Sequence, residues 1–135
     1  MPVSFLDSNV ILYQLSNESE KAERAEVLIS EGGVISVQVL NEIASVARRK
    51  MGMEWQEVRA LSETLRALFT VIPLDQEIHV QGLRLCKHYG FSVYDGMIVA
   101  AAIAAGCDLL WSEDMHDGLR VEDQLTISNP FVIAG

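Results

Sequence analysis

Val3-Ser4-Phe5-Leu6-Asp7-Ser8-Asn9 is the stretch from which the rest of the chain is read. A short, mostly apolar run stops at three residues that favour turns and helix caps, which predicts a buried strand delivering an acid at its carboxyl end. A helix in two pieces follows. Asn17-Glu18-Ser19-Glu20 has capping-box spacing, and Ala22, Ala25, Leu28 and Ile29 continue an apolar stripe that Gly32-Gly33 stops. Val34-Ile35 reads as a second strand, with Ser36 placed to cap a helix running to about Met51. On that helix Val39, Ile43, Val46 and Ala47 share a face. At about 100° per residue Glu42 sits about 40° from Val46, at the rim of the buried side.

Beyond it, Glu54 to Ala67 reads as an amphipathic helix, Leu68 to Ile72 as a third strand closed by Pro73, and Asp75 to Tyr89 as a helix ended by Gly90. Ser92-Val93-Tyr94-Asp95 opens an apolar, alanine-rich helix through Ala105, with Gly106 as its terminator. Asp108 to Trp111 and Leu125 to Ile127 supply a fourth and a fifth strand. Strands alternating with helices predict an α/β fold: a mostly parallel sheet of four to five strands, covered on both faces. No repeat or linker interrupts the chain, so residues 1–135 read as one domain.

Of the 135 residues 50% are hydrophobic and 21% charged, which argues against disorder. The longest run without a polar side chain, Met97 to Cys107, is far short of the roughly 18 to 20 residues that span a bilayer. No basic residue precedes Lys21, so the start does not read as a secretory leader and a cytoplasmic location is expected. Cys86 and Cys107 form no C-x-x-C pair and read as reduced thiols. Ten basic against 19 acidic residues leave a net charge of −9, which excludes a broad electrostatic footprint on nucleic acid. A polyanion could be handled only through a metal ion or a local basic patch.

In a parallel sheet ligands gather outside the carboxyl ends of the strands. Asp7 follows strand one, Asp114 lies just past strand four, Asp95 opens a helix at that edge, and Glu42 stands near the start of the helix after strand two. Each acid also has a purely local reading. Asp7 and Asp114 could be helix caps, Asp95 completes an ordinary S-x-x-D capping box, and a rim glutamate such as Glu42 can reach water. Together they make a different case. Two carboxylates about 4 Å apart repel by about 4 kcal/mol at an effective dielectric of about 20, so four in one pocket need a cation or protons. Hard oxygen donors without a zinc-type Cys/His set suit Mg²⁺ or Mn²⁺. His116, between Asp114 and Asp117, is either a further ligand or a solvated turn residue. Arg48-Arg49-Lys50 complements a helix dipole and offers a phosphate contact. The acidic stretch Glu18 to Glu31, interleaved with Lys21 and Arg24, reads as a solvated helix face.

Phe5-Leu6-Asp7-Ser8-Asn9-Val10, Glu42, Tyr94-Asp95-Gly96-Met97-Ile98 and Leu110-Trp111-Ser112-Glu113-Asp114-Met115 together resemble PIN-domain ribonucleases, particularly the small VapC-like toxins of toxin–antitoxin pairs. The resemblance spans almost the whole chain. It implies a PIN-like three-layer α/β/α sandwich and a metal-dependent nuclease with Asp7, Glu42, Asp95 and Asp114 around Mg²⁺ or Mn²⁺. It further implies Asp117 as an additional acid, Asn9 and Ser112 orienting the carboxylates, an RNA substrate, a cognate antitoxin and a homodimer. Gly96 stands where alanine is more usual, at a cost of about 1 kcal/mol in a helix interior and less in a first turn. Two other readings compete: a catalytically inactive PIN-like module that binds RNA or a partner, and a receiver-like phosphoacceptor domain. The second calls for a lysine on the last strand, and this chain has none after Lys87.

Overall fold

Strand β1 (Ser4–Leu6) runs through the middle of a parallel sheet, as its apolar sequence requires. The computed structural model describes residues 3–132. After β1 come α1 (Ser8–Tyr13), α2 (Ser19–Ser30), β2 (Val34–Ser36), α3 (Val37–Arg49), α4 (Trp55–Leu68), β3 (Thr70–Ile72), α5 (Gln76–Tyr89), α6 (Val93–Ala104), β4 (Leu109–Trp111), β5 (Arg120–Val121) and β6 (Leu125–Ser128). The sheet order is β3-β2-β1-β4-β6-β5, every pairing parallel except β5 with β6. Helices and sheet form the three-layer α/β/α sandwich of the expectation. Phe5, Ile35, Ile98, Leu110, Leu125 and Ile127 are fully buried at its centre.

Several caps act as the sequence indicates. The Ser36 hydroxyl accepts from Val39 N at 3.3 Å and the Asp75 carboxylate from Ile78 N at 2.9 Å. Gly90 ends α5 in the left-handed conformation, φ 79°, where a side chain would be strained. Helix α6 is buried continuously from Gly96 to Ala102, which explains its lack of a polar face.

Three local features differ from expectation. The sheet has one more strand: Arg120–Val121 turns back antiparallel onto β6, and a two-residue strand carries no periodic signal. The Asn17 capping box does not form. Helix α2 starts after Glu18, whose side chain makes no cap bond, while Glu18 N donates to Ser16 Oγ at 3.2 Å. Gly96 is not the small cost to the helix expected of glycine in place of alanine, because the packing leaves no room for a Cβ. It packs against α5 so closely that a Cβ there would fall 2.7 Å from Gly82 O and against Cys86 Sγ. Both thiols are free.

Candidate active site

The chain winds from β1 through β2 to β3 on one side of the sheet, then returns to β4 on the other. The carboxyl ends of β1 and β4 are therefore the place where connections diverge and a crevice opens. Leu6 is in register with Trp111, and Asp7 N donates to Trp111 O at 2.9 Å. Asp7 caps α1: its Oδ1 accepts from Ser8 N at 2.7 Å. Its Oδ2 accepts from Ser112 Oγ at 2.8 Å and from Asn9 Nδ2 at 3.3 Å. The same Asn9 amide donates to Asp114 Oδ2 at 3.1 Å, so one side chain links two acids from different strands.

Glu42 comes from the second turn of α3, which Ser36 starts at the carboxyl end of β2. Ser8 Oγ donates to its Oε1 at 2.7 Å and Gln38 Nε2 to its Oε2 at 3.0 Å. Asp95 sits in the first turn of α6, its N–H donating to Ser92 Oγ at 3.2 Å. Asp7, Glu42, Asp95 and Asp114 line one cleft of about 360 Å³ together with Ser8, Asn9 and Arg49. Ser112 lies behind it, fully buried against Asp7.

Asp7 is only 3% exposed. Burial pushes its carboxyl up to about 7, against the opposing bonds from Ser112 and Ser8, and the Glu42 and Asp95 charges raise it further. Burial likewise raises Asp95, with Glu42 and Asp114 adding to the effect against the lowering bond from Ser92. Anions here destabilise one another, and the cleft's donors are all hard oxygens. Among the described residues no three carboxyl, imidazole or thiol groups are gathered tightly enough to hold an ion as they stand. The cleft leaves space for waters that Mg²⁺ characteristically retains. Donor type and open volume both fit a partly hydrated divalent cation, and Asp7, Glu42, Asp95 and Asp114 are the side chains that would hold it.

A second layer of contacts escaped the sequence reading. Glu113 accepts from Tyr13 OH at 2.6 Å and from Lys21 Nζ at 2.7 Å, and Lys21 also donates to Tyr13 OH at 3.2 Å. Glu113 N in turn donates to Asn9 Oδ1 at 3.1 Å. Partial burial disfavours the Glu113 anion, but Lys21 and Tyr13 outweigh it and hold the carboxyl below its ordinary value. Helices α1 and α2 thus clamp the turn that carries Asp114. Lys21 and Arg24 do not lie on a freely solvated face, since Arg24 stacks 5.4 Å from the Trp111 ring centre. Asp117 stands apart from the four acids: its Oδ1 accepts from Asn129 N at 2.8 Å, at the turn before β5. His116 is exposed and does not line the cleft.

The sequence profile of the PIN domain matches residues 4–117. The chain belongs to the PIN-domain family. Solved structures share this PIN fold at low identity. A chain of a toxin–antitoxin complex from Klebsiella pneumoniae is 18% identical, with a TM-score of 0.72 over 96% of this chain and 99% of that one. A chain of FitAcB from Neisseria gonorrhoeae is 19% identical, with a TM-score of 0.67 over 97% and 100%. VapC20 from Mycobacterium tuberculosis, described as a sarcin–ricin loop cleaving toxin, is 16% identical, with a TM-score of 0.67 over 82% and 89%. No curated protein sequence matches this PIN domain.

Proposed function

We propose that the chain is a divalent-cation-dependent endoribonuclease, the toxin of a toxin–antitoxin pair, working in the cytoplasm as a single PIN-like domain. The observation that carries this reading is the meeting of four acids from four separate elements in one cleft. In their resting state these acids repel one another and Asp7 resists ionising. A site arranged this way is stabilised by a cation rather than by any internal ion pair.

In this reading Asp7, Glu42, Asp95 and Asp114 are the oxygen ligands of Mg²⁺ or Mn²⁺. When bound, the cation supplies an acidified water and neutralises phosphate oxygens. Asp7 must give up a proton to serve, and the Ser8 N–H and Ser112 hydroxyl stabilise the resulting anion. Asn9 holds Asp7 and Asp114 in a fixed relation, and Ser8 with Gln38 fixes both Glu42 oxygens. Asp117, whose Oδ1 accepts from Asn129 N and which does not line the cleft, is left out of this ligand set.

The structural relatives supply the partner class, since they include a toxin–antitoxin complex and a sarcin–ricin loop cleaving toxin. We extend both to this chain, with a cognate antitoxin silencing the cleft and a homodimer as the working assembly. The test is cleavage of single-stranded and stem-loop RNA by the purified protein in Mn²⁺. Cutting that stops with chelator and with Asp95→Asn, in a protein still folded by circular dichroism, supports the proposal. RNA bound without cutting under Mn²⁺ would replace it with an inactive binding module.

A further inference from the structure

We infer that the junction between α3 and α4 is a subsite for single-stranded RNA, in which Trp55 stacks a nucleobase and Arg49 and Lys50 hold neighbouring phosphates. This rests on the ribonuclease reading above and extends the cleft along the substrate. The protein carries a net charge of −9, so beyond the reach of a bound metal ion a polyanion needs a local cationic track. Arg48-Arg49-Lys50 is the only run of three consecutive bases in the chain. Arg49 lines the acid cleft, its stem fixed by Nε donating to Ser45 Oγ at 3.0 Å. Among the described residues none of the three takes part in an ion pair, although 19 acids are available.

The next contact outward is aromatic. Arg48 donates from Nη1 to Met53 O at 3.2 Å, bracing the turn into α4, and its guanidinium lies 5.0 Å from the Trp55 ring centre. Trp55 is nevertheless 63% exposed. A large indole left in water beside a braced guanidinium and two unpaired cations has the makings of a base-stacking platform, which tolerates any sequence because every base has a π-face. Arg49 shares the cleft with the four acids, and the next residue back along α3, Arg48, lies against Trp55, so a strand whose scissile phosphate sits over the acids and whose neighbouring phosphate meets Arg49 is led toward this ring.

The experiment measures cleavage kinetics in Mn²⁺ and, with chelator, fluorescence anisotropy of a labelled single-stranded RNA, for wild type, Trp55→Ala and Trp55→Phe. Alanine is expected to raise KM and weaken binding by about 5- to 100-fold with kcat nearly unchanged, and phenylalanine to restore most of the loss. An abasic nucleotide walked along the RNA should reproduce that loss at one position in wild type and cost nothing further there in Trp55→Ala. An unchanged KM, or abasic and alanine effects that simply add, overturns the inference. So does a Trp55→Ala variant that loses only self-association or antitoxin binding, which would assign the ring to a protein interface. If wild type binds RNA in a Trp55-dependent way without cutting it, the subsite stands and the nuclease reading falls. If it neither binds nor cuts, both fall.

Discussion

Replacing Asp7 by asparagine tests the electrostatics of the cleft directly, because the two side chains differ by a charge and little else. The Asp7 carboxyl titrates at about 7 in the folded protein against 3.8 ordinarily. Between those values the unfolded chain has already lost the proton that the folded chain keeps, so stability falls as pH rises and the loss is complete above about 7. The full gap corresponds to about 4 kcal/mol, and about 3 kcal/mol of it is accrued between roughly pH 5 and roughly pH 8. The substituted asparagine would keep the bond from Ser8 N, and the Ser112 hydroxyl could turn to accept from its amide. Urea unfolding with chelator, at the two pH values, gives the stability difference between Asp7→Asn and wild type. That difference should shift in the variant's favour by about 3 kcal/mol on going to the higher pH. Mn²⁺ should then stabilise wild type and leave the variant nearly unmoved. A difference that stays flat with pH would refute the claim that burial holds this carboxyl neutral.

Gly96→Ala should destabilise by about 1 to 3 kcal/mol in urea unfolding and weaken Mn²⁺ binding by calorimetry, since the added methyl forces α6, and Asp95 with it, away from α5. Lys21→Met should change stability little, because its pair with Glu113 is partly solvated, yet lower Mn²⁺ affinity several-fold by loosening the Asp114 turn. The Glu113 contribution is present above the ordinary carboxylate pKa and lost as pH falls through its depressed one, so the Lys21→Met deficit should vanish in acid. Ser36→Ala should lower stability by about 1 kcal/mol in the same urea assay, through loss of the α3 cap.

The acids of the cleft were legible because each carries a local signal. Asp7 and Asp114 follow apolar strands, Asp95 completes a serine-led cap, and the helical phase places Glu42 beside a buried face. Their supporting contacts have no such signal. Ser8 meets Glu42 across 34 positions, and Lys21 and Tyr13 meet Glu113 across 92 and 100. Nothing periodic marks these pairs, and Lys21 stands in an acidic stretch whose composition suggests plain solvation. The identity of Gly96 was equally opaque, since its reason lies on the neighbouring helix at Gly82 and Cys86. The layers of the fold followed from alternation of strand and helix, whereas β5 was too short for any pattern to register.

That short strand has a consequence for the molecule's solubility. An open sheet ends in a row of unpaired amides that another chain can copy, and β6 would present such a row if it closed the sheet. Instead two residues fold back on it, followed by Glu122 and Asp123 at φ 53° and 54° and braced by the Arg84–Glu122 pair at 2.6 Å. That hem of the sheet is thereby sewn down and charged, which discourages pairing with another chain along the β6 side even while the cleft at the strand ends stays open.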